Sequence, residues 1–169
     1  MSVETLTFGC RLNTVEAEAM RRLADRDGRR RIVVNTCAVT EEAGRQARKA
    51  IRRAARADPE AEIVVTGCGA EVETAAYRAM PEVARLIGNA EKLRPAAWLG
   101  DAVGPGAVMA ARHADAAPVA TMADHTRTFV PVQNGCDHRC TFCVIPFGRG
   151  HSRSVEAGAV VEHVARVVE

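Results

Sequence analysis

Three short β-branched runs near the N-terminus each lead directly into a cysteine: Thr5-Leu6-Thr7-Phe8-Gly9-Cys10, Val33-Val34-Asn35-Thr36-Cys37 and Val64-Val65-Thr66-Gly67-Cys68. Between them lie segments of helical period. Residues 14–24 place Val15, Ala19, Met20 and Leu23 on one face and Glu16, Glu18, Arg21 and Arg22 outside. Residues 41–57 predict a long helix, stopped by Asp58-Pro59. Residues 31–36 contain three consecutive β-branched side chains, which suits a strand covered on both faces. A third strand is expected over 62–66, a third helix over 70–80 before Pro81, and a fourth strand over 83–88. Strand and helix alternating in this way predict an α/β fold, with an N-terminal parallel sheet of Rossmann or flavodoxin-like type.

After residue 94 the texture changes. Pro95, Gly100, Gly104-Pro105-Gly106 and Pro118 sit among many alanines without a sustained period, which reads as an unpacked linker with one short strand over 108–111. Regular structure is expected again in a strand over 128–133, then a loop, then an amphipathic helix over 155–168. One strand–loop–helix unit cannot bury its own sheet face, so a second, truncated domain is expected. The predicted division is 1–94, a 95–127 linker, and 128–169. Of the 169 residues, 47% are hydrophobic and 26% charged with a net charge of +2, the profile of a globular chain rather than a disordered one. Aromatics are only 4%, so the core must come from Ala, Val, Leu and Ile. No apolar run approaches the roughly 18 residues of a membrane span, and no signal-peptide layout opens the chain, so a cytoplasmic location is expected.

The six cysteines form two groups. Cys10, Cys37 and Cys68 are 27 and 31 residues apart, yet each follows a strand. In a parallel sheet with right-handed crossovers all strand C-termini share one edge, where open α/β sheets build their ligand sites. Gly9 and Gly67 permit close backbone approach there. The competing reading is three small buried hydrophobes. The second group, Cys136, Cys140 and Cys143, has the spacing C-x3-C-x2-C. It suits zinc, with His138 as a fourth ligand, or a cubane iron–sulfur cluster with one iron left open. Disulfides are not expected in a reducing compartment.

The string from Val132 through Cys136-Asp137-His138-Arg139-Cys140-Thr141-Phe142-Cys143 to Val144-Ile145-Pro146-Phe147-Gly148-Arg149-Gly150, and on to Ser152-Arg153-Ser154, closely resembles the cluster loop of the radical S-adenosylmethionine methylthiotransferase family. Gly9-Cys10-Arg11-Leu12-Asn13 with Glu16, Asn35-Thr36-Cys37-Ala38-Val39-Thr40 and Thr66-Gly67-Cys68 resemble its N-terminal domain, and look most like the branch acting on N6-threonylcarbamoyladenosine in tRNA. The match covers about residues 3–88 and 129–169. It departs at Gly69-Ala70-Glu71, where the family usually has an aromatic, Ala and Gln, and at Asn134, where Asp is commoner.

The resemblance implies two [4Fe-4S] clusters. Cys136, Cys140 and Cys143 would hold the one that binds S-adenosylmethionine, and Cys10, Cys37 and Cys68 the auxiliary one that carries the inserted sulfur. A 5′-deoxyadenosyl radical would then activate C2 of the modified adenine beside the anticodon. The resemblance also implies residues 1–94 as the auxiliary-cluster domain and 128–169 as the first unit of a radical-enzyme (β/α) barrel. The remaining barrel and a small RNA-binding domain would lie elsewhere, so this stretch alone is expected to be inactive. Its expected partners are tRNA and an electron donor such as flavodoxin or ferredoxin, with no membrane and a monomeric state. Sister substrates in the family are isopentenyladenosine in tRNA and a ribosomal protein.

Arg45, Arg48, Lys49, Arg52, Arg53 and Arg56 recur at three- and four-residue spacing, uninterrupted by acids, and form a candidate phosphate-binding stripe for tRNA or a solvated helix face. Arg149 and Arg153 either face substrate or cap the following helix, and His113, His125 and His163 are expected on the surface. Gly67-x-Gly69 imitates a dinucleotide fingerprint, but Val72 stands at its third glycine. The rival readings are a zinc-binding RNA module without catalysis, which leaves the strand-end cysteines unexplained, and a nucleotide-binding domain with incidental thiols, which leaves the cysteine loop unexplained.

Overall fold

The computed structural model describes residues 2–100, 104–114 and 127–168. Four parallel strands, β1 (Val3–Thr7), β2 (Arg31–Thr36), β3 (Glu62–Gly67) and β4 (Arg85–Leu86), lie in the order β1-β2-β3-β4. Val33 pairs with Thr5 on one side and Val64 on the other, so alternate residues of each strand share a face. On one face Val3, Val33, Val64 and Ile87 pack with Ala17, Met20, Leu23 and Ala24 of α1 (Arg11–Ala24). On the other, Ile32, Val34, Ile63 and Val65 meet Ile51 of α2 (Glu41–Ala57), Ala70 of α3 (Cys68–Val72) and Tyr77 of α4 (Thr74–Arg78). All six residues of β2 are buried, as its unbroken β-branched run implies.

The strands step in one direction while α1 and α2 cover opposite faces, so the two crossovers have opposite hands. One of them runs against the usual right-handed preference. The convergence of strand ends does not need that preference, because parallel pairing alone brings the C-termini to one edge.

Helix α2 keeps its predicted bounds because its ends are well specified. Thr40 is the extended N-cap, and its hydroxyl accepts the Ala43 N–H at 3.2 Å. Glu41 and Glu42 complement the helix dipole in the first turn, and Asp58 leaves the helical region ahead of Pro59. The helix expected over 70–80 instead begins at Cys68 and breaks at Glu73. There the Thr74 hydroxyl donates to the Ala70 carbonyl at 2.7 Å, competing with the helical ladder. The fourth strand shrinks to Arg85–Leu86.

Two expectations for the later chain are corrected. No strand forms over 108–111; a turn closed by Ala110 N–H donating to the Ala107 carbonyl at 3.0 Å stands there, with Val108 buried. The stretch read as unpacked opens with a 3-10 turn, Pro95–Trp98, whose Trp98 enters the first core. Residues 101–103 and 115–126, with His125, lie outside the described residues. The strand expected over 128–133 is reduced to β5 (Gln133–Asn134), antiparallel to β6 (Arg153–Ser154), because Pro131 has no N–H and, among the described residues, Val132 alone finds a further backbone partner, the Val155 N–H at 2.9 Å. Between them lies α5 (Ile145–Arg149), and α6 (Ala157–Val168) follows.

At the N-terminal edge of the sheet Arg31 is buried. It pairs with Asp27 and Glu62 at 2.7 Å and donates to the Ala24 carbonyl at 2.7 Å. This end is a structural clamp, which leaves the opposite edge for chemistry. Because Ile51 is fully buried against the second face, Ile51→Ala should lower unfolding free energy by about 2–5 kcal/mol, and Thr40→Ala by about 1 kcal/mol, in urea titrations followed by circular dichroism.

Candidate functional site

The first cysteine trio sits along the C-terminal edge of the sheet. Cys10 is the N-cap of α1 and exposed, Cys37 follows β2 and is buried, and Cys68 opens α3 and is buried. Gly9 explains how the first two approach. At φ +100° a Cβ there would lie 2.5 Å from Cys37 Sγ, so only glycine leaves room for that sulfur. Gly67, at φ +97°, brings β3 against the Thr36 backbone, where any Cβ would strike the Thr36 carbonyl. Gly69, the residue that departs from the family pattern, packs against Thr36 and the Cys37 carbonyl, where a Cβ would come within 3.0 Å. Thr36 ties the same corner by donating to the Thr66 carbonyl at 2.6 Å and accepting the Ala70 N–H at 2.9 Å.

Behind these sulfurs lies a buried polar network. Glu16 of α1 is 1% exposed and accepts from Lys92 Nζ at 2.6 Å and from Arg149 Nη1 at 2.5 Å. Arg149 also donates to Asn13 Oδ1 at 2.5 Å and Asn134 Oδ1 at 3.3 Å, and its Nε–H points at Cys68 Sγ, 3.1 Å away. Asn89 donates to the Gly148 carbonyl at 2.5 Å and lies 3.7 Å from the same sulfur. Asn13 in turn holds the Phe8 and Thr36 carbonyls at 2.7 and 3.1 Å. Burial opposes ionisation of Glu16, but Lys92 and Arg149 outweigh it and hold the carboxyl at about 2. Burial lowers Lys92, whereas Glu16 and the neighbouring Cys68 and Cys10 raise Arg149 despite its own burial.

The second trio occupies the turn between β5 and α5. Gly135, at φ +79°, packs on the His151 backbone, and Cys136 N–H donates to the Gly150 carbonyl at 3.1 Å. Asp137 accepts from the Ser152 N–H at 3.2 Å and pairs with His151 at 2.8 Å, closing the base of the loop. Cys140 and His138 are exposed, Cys136 and Cys143 half-buried, and Phe142 is 90% exposed. Among the described residues no three Cys, His, Asp or Glu side chains are close enough to hold a metal ion. The donor sets nonetheless suit a soft centre: three thiols along one sheet edge, with Gly9 clearing space for one of them, and three on a single open loop.

Arg149 and Arg153 are both buried, and Arg153 donates to the Arg149 carbonyl at 2.9 Å. His163 is buried too, a correction to its expected surface position, while His113 is exposed. Glu71 accepts the N–H groups of Asn89 and Gly106 at 2.6 and 2.7 Å, so its charge serves the two loops, and burial raises its carboxyl. In the arginine stripe Arg45 pairs with Glu42 and Arg48 with Glu73, both at 2.6 Å, whereas Lys49, Arg52, Arg53 and Arg56 lie exposed along α2. The partners missed from sequence are Asn89 and Lys92. Lys92 carried a faint signal, as one of only two lysines against 21 arginines.

Residues 2–88 match the family described as uncharacterized protein family UPF0004. The chain is 41% identical over 168 residues to threonylcarbamoyladenosine tRNA methylthiotransferase MtaB of Rickettsia prowazekii (strain Madrid E), covering 98% of this chain and 40% of the relative. To the protein of the same name in Bacillus subtilis (strain 168) it is 32% identical over 179 residues, with coverages of 96% and 40%. The Aquifex aeolicus (strain VF5) relative of that name gives 31% over 180 residues, with coverages of 97% and 44%. The chain thus spans about two-fifths of the length of these relatives.

Because the folded carboxyl of Glu16 lies at about 2 against an ordinary 4.5, its stabilisation is complete above about pH 4.5 and is lost as pH falls toward 2. Glu16→Gln should cost about 3–5 kcal/mol at neutral pH by leaving Lys92 and Arg149 uncompensated. It should also remove that segment of the acid-induced loss when urea midpoints are compared from pH 6 to pH 2.

Proposed function

The chain belongs to the UPF0004 family, and from that premise we propose that it forms part of a tRNA methylthiotransferase acting on N6-threonylcarbamoyladenosine next to the anticodon. In this reading residues 1–94 form an auxiliary-cluster domain, 95–127 a linker, and 128–169 the beginning of a radical S-adenosylmethionine domain. Cys10, Cys37 and Cys68 hold one [4Fe-4S] cluster. Cys136, Cys140 and Cys143 hold the second, at which S-adenosylmethionine binds. The protein works in the cytoplasm with tRNA and an electron donor of the flavodoxin or ferredoxin kind.

One observation carries the proposal: the segment that follows the second trio docks onto the strand-end edge that bears the first. Gly148 packs so closely on Cys68 that a Cβ would lie 2.9 Å from the Cys68 Cβ, and the Arg149 side chain passes behind it to Glu16. The α5 end that follows the second trio, held against a cysteine of the first, suits a reaction that needs both trios at once. Relatives sharing both regions support the same assignment. When bound, the clusters and S-adenosylmethionine supply the electron, the sulfur and the methyl group, chemistry that belongs to the cofactors rather than to side chains. The chain's own residues position and enclose. Asn13, Glu16 and Lys92 fix Arg149; Asn89 fixes Gly148; Gly9 keeps the Cys37 sulfur within reach of the edge. Phe142 presents an apolar ring beside Cys143. Lys49, Arg52, Arg53 and Arg56 offer a cationic surface to the tRNA backbone.

Anaerobic reconstitution of the full chain with iron and sulfide should give a brown protein with two clusters by iron, sulfide and Mössbauer analysis. Replacing Cys136, Cys140 and Cys143 with Ala should leave one, whereas a colourless protein holding stoichiometric zinc would overturn the assignment. Changing Lys49, Arg52, Arg53 and Arg56 to Gln should weaken tRNA binding and reduce its salt slope by up to about 0.9 per lost phosphate contact for a duplex segment. An unchanged slope would mark the stripe as a solvated face.

A further inference from the structure

We propose that Arg149 is a positioning residue for the first cysteine trio: its Nε–H holds the Cys68 sulfur and so makes the environment of the first cluster depend on docking of the second cysteine loop. The proposal rests on the reading that Cys68 is a cluster ligand, and it adds a coupling between the two sites.

Four observations carry it. Arg149 lies six residues beyond Cys143, at the end of α5 just after the second loop, yet its side chain ends in the first domain. Every nitrogen of its guanidinium is engaged: Nη1 on Glu16 and Asn134, Nη2 on Asn13 and Glu16, and Nε on Cys68 at 3.1 Å. The forked head is therefore fixed in orientation, and only an arginine can hold Glu16 with one edge while presenting a separate N–H to the sulfur. The buried group sets two cations, Lys92 and Arg149, around Glu16, and the sulfur of Cys68 faces the Arg149 guanidinium. Finally, the three sulfurs are treated differently. Cys68 takes the charged Arg149 donor with Asn89 Nδ2 at 3.7 Å beside it, Cys37 accepts the Val39 N–H at 3.4 Å, and Cys10 is exposed at a helix N-cap with no side-chain capping bond. Hydrogen bonds and positive charge at a ligand sulfur favour the reduced state of an iron–sulfur cluster and raise its potential. The bond from Arg149 thus places the redox poise of one centre under the control of a segment belonging to the other.

The discriminating variants are Arg149→Lys and Arg149→Met. Lysine keeps a positive charge for Glu16 but loses the separate Nε–H, whereas methionine loses both. Each is made in the full chain carrying Cys136→Ala, Cys140→Ala and Cys143→Ala, so that only the first cluster is observed. We expect both variants to lower the midpoint potential and to change the electron paramagnetic resonance signal of the reduced cluster, with Arg149→Lys lowering the thermal midpoint less than Arg149→Met. A second measurement needs no cluster. In the metal-free full chain with 13Cβ-labelled cysteine, Arg149→Lys should shift the Cys68 resonance and leave those of Cys140 and Cys143 in place. Unchanged potential and resonance in Arg149→Lys would reduce Arg149 to a structural tie and overturn the proposal, even if Arg149→Met fails to fold. If the parent assembles no cluster at the first trio, the functional reading of that trio fails, and the Cys68 resonance still decides whether Arg149 holds the sulfur.

Discussion

A carboxylate buried between two cations organises this chain. Glu16 belongs to α1, Lys92 to the turn after β4, and Arg149 to the end of α5, so one side chain draws together three segments far apart in sequence. A buried ion is tolerated only when its partners are fully engaged. Here the carboxylate oxygens, the ammonium and the fork of the guanidinium all find partners within 3.3 Å. The hydrophobic layers build the sheet and its helices, and Phe129 of the later chain packs on Val15 and Ala19 of α1. The segment that follows the second trio is held instead by the ionic group, through Arg149.

The parts legible in sequence were those dictated by local pattern. The β-branched run of β2 and the capped, periodic α2 have the expected bounds, because burial on both faces and strong helix ends act within a few residues. The short elements were not legible. Thr74 and Glu73 break a helix through two side-chain bonds to the backbone and one ion pair to Arg48, none of which changes the apolar period. Residues 128–133 look like a strand by composition, yet a strand needs a neighbour to pair with, and only Gln133 and Asn134 find theirs in β6. Trp98, in a stretch rich in Gly and Pro, enters the core because the first face of the sheet has room beside α1.

The site divides in the same way. The strand-end position of Cys10, Cys37 and Cys68 followed from parallel topology, although one crossover differs in hand from that assumed. The network behind them did not follow, since Arg149 lies 133 residues from Glu16 and 81 from Cys68. The family departures acquire physical reasons: Gly69 fits a backbone that approaches Thr36 closely, Glu71 binds two loop N–H groups, and Asn134 accepts from Arg149.

The unequal exposure of the three strand-end cysteines gives the edge a direction of approach. Cys10 is open to solvent, Cys37 lies beneath Gly9, and Cys68 is sealed below Gly148 and Arg149. Anything arriving from solution meets the α1 side first and reaches the innermost sulfur last. The edge is therefore open at its α1 end and covered at its α3 end, where Gly148 and Arg149 lie over Cys68.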